Sequence, residues 1–238
     1  MLPDWFGIWR KPLQAEVAII KLAGHCFRLL PSGAIFSVAH QTLWVADLHL
    51  GKAATYRQLG QPVPKGTTTA TLNQLASDIE QCQAKQVIVL GDFLHGPLVH
   101  GSQSTLEAIS TWRAQYAQCA ITLIRGNHDD KAGDPPQSLN IRVVDQPFEF
   151  ESMLCCHDDQ APGLSPHSLV LSGHTHPVVV VHGRARERFR LACFVVSPNR
   201  VILPAYGAFT GGHVHKPTPD ESIYVIADQT VMKLSGPS

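Results

Sequence analysis

The chain has 238 residues, enough for one well-buried domain. Lys plus Arg and Asp plus Glu each number 19, so the formal charge is zero, which argues against a broad, sequence-independent grip on nucleic acid while leaving room for a local basic patch. No apolar run approaches the ~18 residues that span a bilayer, and the start Met1-Leu2-Pro3-Asp4-Trp5 lacks a basic-then-apolar signal segment, so the chain reads as a cytoplasmic protein with no membrane partner.

In chain order, residues 1–14 read as an irregular arm carrying Pro3, Trp5, Phe6, Trp9 and Pro12. Short β-rich runs follow at Val17 to Leu22, Cys26 to Leu30, Ala34 to Val38 and Leu43 to Ala46, separated by Gly, Pro and Ser as antiparallel strands are. From Thr67 to Gln83, Leu72, Leu75, Ala76, Ile79 and Cys82 fall at helical spacing. Gln86 to Leu90 is a fully buried strand, about Ser104 to Gln118 a second helix, and Ala120 to Ile124 another buried strand. This βαβαβ alternation implies a parallel element. The later half is strand-rich again, at Ile141 to Val144, Met153 to Cys156, Leu169 to Ser172, Val178 to Val181, Cys193 to Val196, Val201 to Leu203 and Ile223 to Ala227. No repeat or linker interrupts it, so 1–238 reads as one domain, a two-sheet sandwich with helices outside. The six cysteines include no Cys-x-x-Cys pair, and most sit in apolar surroundings, as buried reduced thiols do.

Five fragments carry the chemistry: Asp47-Leu48-His49, Gly91-Asp92, Gly126-Asn127-His128-Asp129, His157, and Gly173-His174-Thr175-His176. Each lies just beyond the carboxyl end of a buried strand, where open α/β sheets bind ligands. Any one fragment is a common turn; five in this order point to a metal site. Two divalent ions roughly 3.5–4 Å apart can clamp a phosphoryl group between them. Asp92 is the natural bridge. Asp47, His49 and one terminal histidine would complete one ion; Asn127, His157 and the other terminal histidine would complete the second.

These fragments resemble the calcineurin-like metallophosphoesterases, whose pattern is Asp-x-His, Gly-Asp, Gly-Asn-His-Asp/Glu, His and Gly-His-x-His. The resemblance implies an α/β fold, a four-layer αββα sandwich of two mixed β-sheets flanked by helices. It also implies a dinuclear centre, often of manganese, iron or zinc. By that pattern Asp47, His49, Asp92 and His176 match ligands of a first ion, and Asp92, Asn127, His157 and His174 those of a second. His128 matches the family histidine that assists the leaving group. A narrower resemblance is carried by Asp47-Leu-His-Leu-Gly-Lys52, Gly60-x-Pro-Val-Pro64, Val89-Leu-Gly-Asp-Phe-Leu-His95-Gly96 and Leu203-Pro-Ala-Tyr-Gly-Ala-Phe-Thr-Gly-Gly212. It points to the bacterial ligase-associated group of phosphodiesterases or endonucleases, and so to DNA as substrate and to an ATP-dependent DNA ligase and a helicase-like protein as partners. The serine/threonine phosphatases of the superfamily carry Gly-Asp-x-x-Asp-Arg-Gly; here Gly91-Asp92-Phe93-Leu94-His95-Gly96 puts His95 in place of the acid that orients the catalytic histidine.

The expectation is a manganese-dependent phosphodiesterase with His128 as catalytic acid. A small-nucleotide phosphodiesterase, on a cyclic or capped substrate, and a non-catalytic protein-binding scaffold are the rival readings. Lys52 and His95 each have two readings: Lys52 as a substrate-phosphate contact or a solvated helix-start lysine, His95 as a cleft residue or a hydrogen-bonded turn histidine. Arg184, Arg186, Arg188 and Arg190 alternate on one strand face, as a nucleic-acid rail or a solvated hairpin. Asp129 and Asp130 read as turn caps. Trp5, Phe6 and Trp9 either cover their own core or dock a second subunit of a homo-oligomer.

Overall fold

The computed structural model describes residues 16–161, 163–164, 168–183 and 187–234. The N-terminal arm with Trp5, Phe6 and Trp9, and also Arg184 and Arg186, lie outside the described residues.

Among the described residues the first sheet has seven strands paired in chain order. They are β1 (Ala18–Leu22), β2 (His25–Leu29), β3 (Ile35–Ser37), β4 (Thr42–Val45), β5 (Gln86–Leu90), β6 (Ala120–Ile124) and β7 (Arg142–Val144). β1 to β4 are antiparallel, and β4 to β7 are parallel. The change of direction follows from connection length. Short turns join the first four, whereas parallel neighbours need a long crossover. Those crossovers are α1 (Lys52–Gln58) and α2 (Thr67–Cys82) between β4 and β5, α3 (Gln103–Gln115) between β5 and β6, and the short α4 (Asn127–Ala132) between β6 and β7. α2 buries Leu72, Leu75 and Ile79 against the sheet, worth about 1.5–3 kcal/mol each. Its ends are fixed by residues in the left-handed region, Gly66 before it and Gln83 after it.

The second sheet contains β8 (Phe148–Phe150), β9 (Met153–Cys155), β10 (Leu169–Ser172), β11 (Pro177–His182), β12 (Arg188–Ser197), β13 (Arg200–Ile202), β14 (His213–Val214), β15 (Ser222–Ala227) and β16 (Thr230–Lys233). β10 lies between β9 and β13 and is parallel to both. Between the two sheets sits one apolar core, with Phe27, Trp44, Ile88 and Leu90 from the first and Met153, Leu171, Phe194 and Val201 from the second. Trp44 is fully buried, edge-on to Phe27 at 6.0 Å and to Phe150 at 5.7 Å. A separate cluster packs the helices on the outer face of the first sheet. The outer face of the second is covered by Val179, Cys193, Ile202 and Val225 with their strand neighbours, and no helix lies over it among the described residues. The fold is the expected α/β arrangement of two mixed sheets with flanking helices, but the helical layer that the four-layer αββα expectation puts over the second sheet is not seen among the described residues.

Two short helices were not anticipated from the sequence, α1 and α4 (Asn127–Ala132). At 7 and 6 residues they are too short for a hydrophobic period to register. All six cysteines are unpaired; Cys26 alone is exposed, because it alternates outward on β2. No helix of the described residues is long and apolar enough to cross a membrane.

Candidate metal centre

Two trios of parallel strands converge on the site. β4, β5 and β6 are neighbours in the first sheet, and β9, β10 and β13 in the second. Asp47 and His49 follow β4, Asp92 follows β5, and Asn127 and His128 follow β6. His157 follows β9, and His174 and His176 follow β10. The β4–β5 ladder continues past the strand ends. Asp47 N–H donates to Gly91 O (3.2 Å), His49 N–H to Asp92 O (2.8 Å), Leu50 N–H to Phe93 O (2.9 Å) and His95 N–H to Leu50 O (3.1 Å). That pairing sets the Asp47-x-His49 loop in register with the Asp92 loop. From the other sheet, the loop after β13 closes over it, with Tyr206 N–H donating to Ala46 O (2.8 Å) and Gly207 N–H to Asp47 O (3.2 Å).

The turns are tight enough to strain the backbone. Asp47 (φ 57°), His49 (47°), Asp92 (53°), His174 (70°) and His176 (45°) all occupy the left-handed region. Each costs on the order of 1–3 kcal/mol, and such strain clusters where function requires it. Two glycines permit the close approach. A Cβ on Gly91 (φ 79°) would lie 2.2 Å from His157 Nδ1, and one on Gly173 2.7 Å from Asp47 Oδ2.

The side chains form two groups joined by Asp92. One Asp92 oxygen, Oδ2, lies 3.6 Å from His49 Nε2; the other, Oδ1, lies 3.6 Å from His157 Nε2. On the first side, Asp47 Oδ1 is 3.1 Å from His176 Nε2, which is 3.4 Å from His49 Nε2. On the second, His157 Nε2 is 2.9 Å from both Asn127 Oδ1 and His174 Nδ1. The ligating atoms of Asp47, His49 and His176 all lie within 4.8 Å of one another, as do those of Asp47, Asp92 and His157. Asp47, His49, Asp92 and His157 form the buried floor; His176 is half-buried, and Asn127 and His174 stand exposed at the mouth.

The donor set fits divalent cations. Asp47 Oδ1 is buried without a hydrogen-bond donor, a costly arrangement that a cation relieves. His157 Nδ1 donates to Leu90 O at 3.0 Å, which leaves the Nε2 lone pair facing Asn127 and His174. All donors are nitrogen or oxygen, suited to manganese, iron or zinc. Burial pulls His49 down to about 2, helped by Lys52, His176, His128 and His95, so its imidazole is neutral and free to bind metal. Burial likewise draws His95 down to about 4 and raises the Asp92 carboxyl, the latter against the pull of His157 and the His128 N–H.

His128 stands half-buried at the start of α4. Its backbone N–H donates to Asp92 Oδ1 (2.9 Å). Its ring stacks on His95 (4.6 Å between centroids, 23° between planes) and meets His49 edge-on at 4.9 Å. His95 Nδ1 in turn lies 3.2 Å from His49 Nδ1. His95 is thus a cleft residue that packs against both His49 and His128. Asp129 is buried and caps the turn: Oδ2 accepts Gly126 N–H and Oδ1 accepts Leu94 N–H, both at 3.0 Å. Burial raises its carboxyl to about 6. Lys52 begins α1; burial draws its ammonium below the usual lysine range, and Asp92 and Asp47 offset part of that. Arg188 and Arg190 are exposed on β12, and Arg190 Nη2 donates to Gly212 O at 2.6 Å. His213 stands 6.4 Å from the His176 ring, and His215 pairs with Glu221 at 2.8 Å.

Sequence reasoning overlooked Tyr56 and Phe209. Tyr56 lies along His95 at 6.1 Å and meets Phe209 edge-on at 6.1 Å. One signal was available: Tyr56 is four residues after Lys52, so both share a helix face.

Residues 40–217 match the family model described as calcineurin-like phosphoesterase. The crystal structure of Pseudomonas putida nuclease MPE is 38% identical, with a TM-score of 0.80 over 92% of this chain and 100% of that one. YfcE, a phosphoesterase from E. coli, is 15% identical with a TM-score of 0.42 over 81% of this chain and 97% of that one. Among curated proteins none matches. The matched region takes in every side chain of the two groups that meet at Asp92; the chain belongs to the calcineurin-like phosphoesterase family and is a metal-dependent phosphoester hydrolase.

Proposed function

We propose that the chain, read as one domain over 1–238, is a dinuclear phosphodiesterase that cleaves DNA, working in repair beside an ATP-dependent DNA ligase and a helicase-like protein. The observation that carries the reading is Asp92, with one oxygen facing each ligand group. Asp47, His49, Asp92 and His176 would hold one ion, and Asp92, Asn127, His157 and His174 the other. Manganese fits these nitrogen and oxygen donors and is the ion expected here, with iron and zinc as alternatives. When bound, the ions supply an activated water near neutral pH and neutralise charge on the phosphoryl group.

The chain's own residues do the rest. His128, held by its stack on His95, gives a proton to the departing alkoxide; positioned acids of this kind contribute roughly 10²–10⁴-fold. Lys52 meets a phosphate oxygen from the first loop, and His95 borders the scissile group. The nuclease activity named for the Pseudomonas putida structure supports a nucleic-acid substrate. The ligase and helicase-like partners rest on the resemblance of the Asp47–Lys52, Gly60–Pro64 and Leu203–Gly212 segments alone. Six unpaired thiols favour the reducing cytoplasm.

The zero net charge favours a second reading, a small-nucleotide diester. The test is hydrolysis of a phosphodiester and a matched monoester by metal-stripped protein with Mn²⁺ restored. Diester turnover restored by Mn²⁺ supports the proposal, and turnover of the monoester alone refutes it. With a DNA substrate, kcat/KM falls steeply as salt rises from 50 to about 200 mM if several phosphates are gripped. A flat response favours the small nucleotide.

A further inference from the structure

A cleft of about 400 Å³ opens beside the metal centre, lined among others by Lys52, Tyr56, Gln61, Val63 and Phe209. That volume is within the range of small-ligand sites. Its two walls come from distant parts of the chain, α1 with the segment after it, and the loop after β13. The backbone ties both to the site. Lys52 N–H donates to His49 O at 3.1 Å, and Gly207 N–H to Asp47 O at 3.2 Å.

A row of rings runs outward from the reacting centre. His128 stacks on His95 at 4.6 Å, Tyr56 follows at 6.1 Å, and Phe209 stands edge-on to Tyr56 at 6.1 Å. Tyr56 and Phe209 thus form a right-angled aromatic corner (84° between planes), half-buried and opening into the cleft. Neither ring fills a core. Lys52 lines the same cleft and supplies it with a cationic side chain. Gln61 is exposed and offers an amide donor and acceptor.

We propose that this cleft is a nucleobase subsite: the base of the nucleotide attached to the scissile phosphate lies against the Tyr56–Phe209 corner, while Lys52 meets its phosphate. Base–aromatic stacking tolerates any base, because every base has a π face. The subsite therefore gives preference for a nucleoside diester over a plain one, without sequence reading. It also requires the base to leave its own stack, which is easiest in unpaired strands and at ends. This inference rests on the diesterase reading and deepens it.

The test compares thymidine 5′-(4-nitrophenyl phosphate) with methyl 4-nitrophenyl phosphate in the Mn²⁺-loaded protein. Both release the same phenolate, so the ratio of their kcat/KM values reports the nucleoside alone. The wild-type ratio is well above one. Phe209→Leu keeps the apolar bulk and removes the ring; it lowers the ratio by roughly 5- to 150-fold, the range of a lost base stack. Tyr56→Leu lowers it from the other wall, and Phe209→Tyr retains it. A wild-type ratio near one, or a ratio unmoved by Phe209→Leu and Tyr56→Leu, overturns the subsite while leaving the diesterase standing. If neither diester is turned over, the diesterase reading falls and the subsite with it.

Discussion

Gly91→Ala puts the geometry of the site under direct strain. The new Cβ would sit 2.2 Å from His157 Nδ1, 2.4 Å from Cγ and 2.7 Å from Cβ of the same ring. Ordinary contact begins near 3.4 Å, so the ring must retreat by about 1.2 Å. That retreat breaks the His157 Nδ1–H to Leu90 O bond, a loss of about 1 kcal/mol. The left-handed φ of 79° adds about 1–3 kcal/mol for an L side chain. A total of about 2–4 kcal/mol lowers Tm by roughly 4–16 °C in a chain of this size. Function should suffer more than stability. A 1 Å misplacement near the chemistry costs on the order of 10²-fold in rate, and His157 is the floor of one ligand group. The expected result is a bound-metal ratio falling from two toward one per chain by elemental analysis, with kcat/KM down at least about 100-fold. Gly24→Ala is the control, since its φ is 83° but nothing lies within 4 Å of the added Cβ. It should cost stability alone. If Gly91→Ala keeps both ions and wild-type turnover, His157 is not where the chemistry needs it and the assignment of the second group fails.

Three further outcomes follow from the same geometry. Asp92→Ala removes the carboxylate that faces both groups, so metal binding and turnover should vanish together, as read by calorimetric Mn²⁺ titration and a diester assay. His128→Ala should keep both ions and lose roughly 10²–10⁴ in kcat; full activity would remove it from the leaving-group role. Tyr206→Phe deletes the buried hydroxyl that donates to Asp78 Oδ2 at 2.8 Å. Asp78 is already raised by burial and keeps its bond from Ser32, so loss of the Tyr206 donor costs about 1–3 kcal/mol. Scanning calorimetry should show a Tm lower by roughly 2–12 °C.

The sequence by itself determined the parts whose signal is local. Val87–Leu90 is wholly apolar and Ala120–Ile124 is apolar but for Thr122, because both faces of a parallel strand are covered, so they were legible as buried strands. α2 declared itself through Leu72, Leu75 and Ile79 at helical spacing. The candidate ligands were legible because strand ends are visible as the point where an apolar run meets Gly, Asp or His. Tertiary structure decided everything that depends on which strands are neighbours. The opposition of the β4–β5–β6 and β9–β10–β13 trios joins residues 127 positions apart, as in the His174 N–H to Asp47 Oδ2 bond at 2.9 Å. No local period encodes that pairing. The left-handed strain at Asp47, His49, Asp92, His174 and His176 arises from the tight turns after their strands, and only Gly normally advertises it in a sequence. The His95 stack on His128 and the Tyr56–Phe209 corner were hidden for the same reason: each contact joins a short helix to a loop distant in sequence, so it is set by folding and not by spacing.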